Sequence, residues 1–176
     1  SLHQGQPTAA TRRLQSPDAL ASAVLWKFPA AVNYVEMLEL QLRDPSVTSR
    51  FPGLVIADMP TFWIYHHWAL LVDPTKLVRL WRCSTVMVNG SYFGTDKIVH
   101  FAHVGYIYFV TYRNELARGA SDEDAVRSAV ELGTGANPLS ERAFLGLFTT
   151  GVISNADLAA DYAGLKFFRN LTESVR

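Results

Sequence analysis

Two imidazoles and three carboxylates stand at spacings that could bring them to one point. Asp96, His100 and His103 fall in one apolar stretch, and Asp157 and Asp161 fall in a second, sixty residues on. If Thr95 caps a helix running to about Arg118, a rotation of about 100° per residue puts Asp96, His100, His103, Thr111 and Asn114 on one stripe. Nitrogen and carboxylate ligands at i,i+3 or i,i+4 are what zinc, iron or manganese requires on a helix bundle, because one turn aims both heads at one point. The metal set expected is Asp96, His100, His103, Asp157 and Asp161. Without a metal, a carboxylate holding an imidazole sets its tautomer and raises its basicity, the arrangement that general acid–base work needs. The catalytic set expected is then His100, His103 and Asp161. No nucleophilic serine or cysteine motif accompanies them.

Each of these residues has an ordinary structural use as well. An acid in the first helical turn, such as Asp96, is favourable with no function, and its pairing with His100 stabilises a helix locally. His103 could bond a buried carbonyl or a tyrosine such as Tyr106 or Tyr162. Ser154 and Asp157 have nearly capping-box spacing, so Asp157 has a ready role at a helix start. Asp161 has no such capping role: it lies one turn further on, among Leu158, Ala160, Leu165 and Phe167, where a hydrophobe would be ordinary, and its structural use would be to bind a backbone amide or pair with Arg113 or Lys166.

The elements that would carry this cluster are two. Residues 95–118 are apolar nearly all round apart from the polar stripe, as a helix surrounded by protein would be. Residues 155–172 bear Ala159, Ala160, Ala163 and Gly164, small enough for another helix to approach closely, and the central helix is the natural partner. The opening Asp96-Lys97-Ile98-Val99-His100-Phe101 resembles the Asp-Lys-x-x-His-Phe start of a helix in VanZ-like membrane proteins. That resemblance spans six residues, comes without the transmembrane spans, and carries no activity or ligand over to this chain.

Around these two elements the spacing predicts further helices. Ser16-Pro17-Asp18 is a cap followed by proline at the first helical position, opening a helix to Phe28. Residues 30–43 show Val32, Val35, Leu38 and Leu42 near helical spacing, and Asp44-Pro45-Ser46 ends them; Glu36 and Glu39 read as a solvated face. Aromatic residues 62–72 hold Trp63, Tyr65, His66, His67 and Trp68, where adjacent histidines point apart and at most one serves a given site. Residues 75–82 read as a short helix. Leu54-Val55-Ile56 reads as loop or short extended structure, and Thr85-Val86-Met87-Val88 as a strand or part of a helix before the turn signal Asn89-Gly90. With no second run beside it, no sheet is expected. Ser121-Asp122-Glu123-Asp124 starts a helix with acids in the first turn, ending at the hinge-like Gly133-Thr134-Gly135-Ala136-Asn137-Pro138, and 139–149 is a short apolar helix.

Composition limits the function classes. A chain of 176 residues with 49% hydrophobic content suits one domain able to bury most of its unfolded surface. Sixteen basic residues balance sixteen acidic ones and are scattered, so no field draws nucleic acid. No uninterrupted apolar run of about 20 residues offers a transmembrane segment. One cysteine, Cys83, excludes an internal disulfide and a multi-cysteine zinc site. Residues 1–15 read as a disordered or trimmed head, such as a signal-cleaved exported protein of the periplasm or cell exterior would show, and the chain is expected to continue beyond Arg176. Asn170-Leu171-Thr172 is a formal glycosylation acceptor.

The expectation is an all-α fold, a single helical domain over 16–176 with 95–118 packed on 155–172. Its function is expected to be metal-dependent or acid–base hydrolysis of a phosphoester, lipid or cell-envelope substrate, with zinc, iron or manganese as the divalent cofactor. The other expectation is a non-enzymatic helical protein that binds a small-molecule, lipid or protein partner through Trp63, Tyr65, Trp68 and Trp81, with the His/Asp cluster as a structural network.

Overall fold

The computed structural model describes residues 15–28, 34–57, 85–88, 90–135, 140, 142 and 153–173. Helix α1, Pro17–Leu25, starts where Ser16 Oγ accepts from the Ala19 amide at 3.1 Å and Pro17 enters without an amide to satisfy. Helix α2 is Tyr34–Leu42. The Asp44-Pro45-Ser46 stop begins a further helix, α3, Pro45–Arg50, because Asp44 Oδ1 accepts from the Ser46 amide at 2.8 Å and so caps it.

A small sheet, which the sequence reading did not build, accompanies the helices. Strands β1 (Val55–Ala57), β2 (Thr85–Val88) and β3 (Ser91–Gly94) pair antiparallel in that order, with Val86 opposite both Ile56 and Phe93. Val86 is 1% exposed and is the sheet's contribution to the interior. Gly90, at φ 80°, sits in the two-residue connection between β2 and β3, where a left-handed backbone matches the twist of the strands. The fold is mainly helical, consistent with the all-α class, with a small three-stranded sheet among the described residues.

β3 runs directly into the central helix α4, which has three consecutive parts: Asp96–Val99, a π-helical turn His100–Val104, and Gly105–Ala117. Thr95 precedes it with helical backbone angles and makes no capping bond through its side chain, contrary to the expectation for that residue. In the middle part the Gly105 amide donates to the His100 carbonyl, five residues back. Beyond Ala117 the chain leaves the helix through Gly119, at φ 92°. Helix α5, Asp122–Thr134, is capped by Ser121 and runs on through the expected hinge glycine, Gly133. Helix α6, Asn155–Thr172, is capped by Ser154, whose Oγ accepts from the Asp157 amide at 3.2 Å. Replacing Ser154 by alanine is expected to lower stability by about 1 kcal/mol, read as a shift of the urea midpoint at unchanged slope.

Helices α4 and α6 run side by side in the same direction. Lys97 and His100 meet Asp157 and Asp161, then Phe101 and Gly105 meet Gly164, then Phe109 meets Phe168 at 5.9 Å between ring centres. The backbones touch at the glycines. A Cβ on Gly105 would lie 2.5 Å from the Gly164 Cα, and one on Gly164 would overlap the Phe101 carbonyl oxygen. The close approach expected from the small residues of α6 is thus present, with Gly105 supplying the other half. Below the crossing, Tyr108, Phe109, Tyr112, Leu165 and Phe168 form the core with Ala21 of α1 and Ala125 and Ala129 of α5. Alanine at those contact positions brings α5 close.

A charged tie fastens the far end. Asp122 accepts two bonds from Arg169 Nη2, at 2.8 and 2.9 Å, and one from the Tyr112 hydroxyl at 2.6 Å, while the Arg169 guanidinium lies 4.5 Å over the Tyr112 ring. Thr172 is fully buried inside α6 and its hydroxyl bonds the Phe168 carbonyl at 2.8 Å, so the Asn170-Leu171-Thr172 tripeptide is helix, not the surface loop a glycosylation acceptor needs. No helix of the described residues is long and apolar enough to cross a membrane. The aromatic stretch 62–72 and the helix expected over 75–82, with Trp63, Tyr65, His66, His67, Trp68, Trp81 and Cys83, lie outside the described residues, as do the side chains of Glu36 and Glu39 and all of 139–149 except Ser140, which is buried in a bend, and Arg142, which is in a turn.

Candidate functional site

The polar cluster forms where the first turns of α4 and α6 face each other. Asp157 is the third residue of α6, where the cap on its own amide and the positive end of the helix favour a carboxylate. Asp161 follows one turn later, on the same face. From α4 come Asp96 and Lys97 in the first turn and His100 at the start of the π turn.

Their contacts form a chain. His100 Nδ1 is 2.9 Å from Asp161 Oδ1, and His100 Nε2 is 3.5 Å from Asp157 Oδ2. The other Asp157 oxygen pairs with the Lys97 ammonium, which also donates to Asp96 Oδ2 at 2.6 Å. Side-chain exposure is lowest at Asp161, 1%, and Asp157, 7%, is 13% at His100 between them, and rises through 19% at Lys97 to 23% at Asp96. The closed end is Asp161 and the open end is Asp96.

An ionised Asp161 only accepts, so in that state Nδ1 donates to it and Nε2 is left as the basic nitrogen. At 3.5 Å the Nε2 contact with Asp157 is too long for a firm hydrogen bond. Burial raises the pKa of Asp161 above the ordinary aspartate value of 3.8. The hydrogen bond and charge of His100 and the Tyr108 hydroxyl pull it partly back, and the charge of Asp157 adds to the rise. Its second oxygen, Oδ2, is buried without a well-formed hydrogen bond among the described residues, which agrees with that direction. Tyr108 reaches the cluster because Gly133 of α5 leaves room: a Cβ there would overlap the tyrosine hydroxyl.

For Lys97, burial opposes the charge, but the hydrogen bonds and charges of Asp157 and Asp96 outweigh it and raise its pKa above 10.5. Folding is therefore linked to the protonated amine. That contribution is complete below pH 10.5 and is lost as pH rises through the higher folded value. Removing the amine, as in Lys97→Met, leaves two carboxylates facing each other and is expected to cost about 2–4 kcal/mol near neutral pH. Thermal melts of the wild type and of the variant between pH 7 and 12 should begin to draw together above pH 10.5.

The structure brings together Asp96, His100, Asp157 and Asp161 of the expected set and adds Lys97, which sequence reasoning passed over. The signal was available: a lysine one residue from Asp96 in a first turn otherwise directed at protein. His103 lies in the same π turn as His100 and is half-buried. Among the described residues no group of three or more His, Cys, Asp or Glu side chains converges as a metal site, because Lys97 stands between Asp96 and Asp157 and Asp161 is engaged with Nδ1. No known protein family, curated protein or solved structure matches the chain.

Proposed function

We propose that the protein is a hydrolase that activates water by general acid–base catalysis at His100, acting on an ester linkage of a phosphoester, lipid or cell-envelope molecule. The observation that supports this is the buried Asp161–His100 pair, 2.9 Å apart, which orients the imidazole and leaves Nε2 basic. Nε2 takes a proton from water as the water oxygen bonds to the electrophilic centre, and returns that proton to the departing alkoxide. Asp161 holds the ring and stabilises the imidazolium formed between the two steps. Lys97, fixed by Asp96 and Asp157, directs positive charge at the oxygen on which negative charge develops.

A zinc, iron or manganese ion could supply that positive charge instead. Its donors would be Asp96, Asp157 and His100 Nε2, with Asp161 behind the imidazole, and it would enter only by displacing the Lys97 ammonium. The acid–base form needs no displacement, and it is the one adopted.

A second reading is favoured by a separate observation: Lys97 and His100 each lie between two carboxylates, so the cluster can serve as an interhelical lock in a non-enzymatic binding protein. Release of p-nitrophenol from carboxylic, phosphomonoester and phosphodiester substrates, by the wild type and by His100→Ala, separates the two. Hydrolysis that His100→Ala loses by about 100-fold or more, with the fold intact by circular dichroism, supports the enzyme. Silence toward every substrate sinks it and leaves the lock. Elemental analysis of tag-free protein belongs beside that assay. One equivalent of zinc, iron or manganese lost in His100→Ala would replace Lys97 as the source of positive charge.

A further inference from the structure

We infer that the ester this site takes is electrically neutral at its reacting centre, a carboxylic ester and not a phosphoester. The inference rests on the hydrolase reading and follows from the charges gathered at the junction of α4 and α6. Among the described residues, three carboxylates, Asp96, Asp157 and Asp161, meet one ammonium, Lys97, and one imidazole, His100. Carboxylates therefore outnumber basic groups in this set, three to two.

A phosphate monoester brings up to two negative charges and a diester one, before any reaction. Sites that hold such groups offer several cationic side chains, often a bidentate arginine, or amides at a helix N-terminus. Here the Asp157 amide in the first turn of α6 already donates to Ser154 Oγ, while the Asp157 carboxylate turns to Lys97 and His100, so that helix end adds a negative charge to the site. A phosphate would meet three carboxylates for one lysine, and like charges brought together in a partly buried place repel strongly.

A carboxylic ester arrives uncharged. Water adds to its carbonyl carbon, a carbon–oxygen bond forms, and the water proton passes to His100 Nε2. One negative charge appears on the former carbonyl oxygen. The tetrahedral species then breaks its bond to the alcohol oxygen, which recovers the proton from the imidazolium, leaving a carboxylic acid and an alcohol. That single oxyanion matches what Lys97 has left to give. An ammonium carries three N–H groups, Asp96 and Asp157 take two, and the third is available to one oxygen. Lys97 also lies toward the open end of the cluster, where a carbonyl could arrive, while Asp161 at the closed end stays behind the imidazole.

The test compares kcat/KM of the wild-type protein for p-nitrophenyl butyrate, p-nitrophenyl phosphate and bis(p-nitrophenyl) phosphate, with Lys97→Met and Lys97→Arg measured on whichever is hydrolysed. The expected result is butyrate turnover at least about 100-fold above both phosphates. Lys97→Met is then expected to lower kcat about 100-fold with KM nearly unchanged, and Lys97→Arg to restore part of it, since the loss is of charge at the oxyanion. Turnover of either phosphate ester that equals or exceeds the butyrate, and that His100→Ala abolishes, overturns the substrate class while leaving the hydrolase in place. No turnover of any of the three overturns both. Butyrate turnover that Lys97→Met leaves intact, in a variant shown to be folded, also overturns the assignment.

Discussion

A Gly164→Val chain is expected not to fold cooperatively at 25 °C. The valine Cβ would be built into the Phe101 carbonyl oxygen and within 2.8 Å of the Gly105 Cα. Both obstacles are main chain and neither can rotate aside, as the end of a side chain would. Relief requires α4 and α6 to separate over their whole parallel contact. Separation breaks the His100–Asp161 pair at one end and opens the Phe109–Phe168 packing at the other. A strain shared by two ends of one crossing is expected to exceed about 4 kcal/mol, at the extreme of single substitutions and close to the whole stability of many domains. The control is Ala163→Val, one residue away and exposed, which should change stability by about 0.5 kcal/mol through helix propensity alone. Urea titration followed by circular dichroism reads both. A Gly164→Val protein within about 1 kcal/mol of the wild type would mean that the two backbones do not lie in contact.

The second large effect is on chemistry. Asp161→Asn keeps the shape of the side chain and is expected to lower kcat for ester hydrolysis by about 100- to 10,000-fold, because an amide cannot hold the imidazole in the productive tautomer or stabilise the imidazolium. Stability should move the other way. With the Asp161 pKa raised on folding, the folded chain keeps a proton to higher pH than the unfolded chain does. Wild-type stability therefore falls as pH rises from 3.8 to the raised folded value, and stays lowered above it. Asparagine has no such titration, so its stability curve should lack that decline and lie above or level with the wild type at neutral pH. A variant that loses hydrolysis and gains stability places the charge of Asp161 with catalysis. One that keeps hydrolysis assigns it to packing, and His100 then acts without an orienting partner.

Much of this arrangement can be read from residues alone, and the failures have physical causes. The boundaries of α6 follow from Ser154 and its spacing to Asp157, and the close approach follows from small residues, since both depend on neighbours in the chain. Asp161 stood out because nothing local explained a carboxylate among hydrophobes. The partner of that carboxylate was foreseen as an imidazole, and the structure pairs it with His100; the uniform 100° rotation used to group the two histidines was applied through a stretch that the protein winds more loosely. No residue type announces a π turn, so nothing in the spelling of His100-Phe101-Ala102-His103-Val104 warned of it. Lys97 was missed for another reason: a lysine is ordinarily solvated, and only the tertiary placement of Asp157 draws it inward. The sheet was missed although Asn89-Gly90 between Thr85–Val88 and Ser91–Gly94 is a hairpin signal. β3 is short and ends in glycine, and β1 comes from far upstream, so neither resembles a second strand when read in isolation.

The loose turn at His100–Val104 also has a consequence for length. It gives α4 one residue more than a regular helix would use to cover the same rise. The wide turn absorbs that surplus residue within itself, so the helix on either side keeps the winding of an uninterrupted α-helix. Asp96 and Lys97 before it and Gly105 after it therefore meet α6 as they would in a regular helix. Deleting one residue between Phe101 and Val104 would let the segment close into regular α-helix with the charged cluster and the glycine crossing both in place. A single-residue insertion or deletion at this turn is thus expected to cost the fold less than one elsewhere in α4.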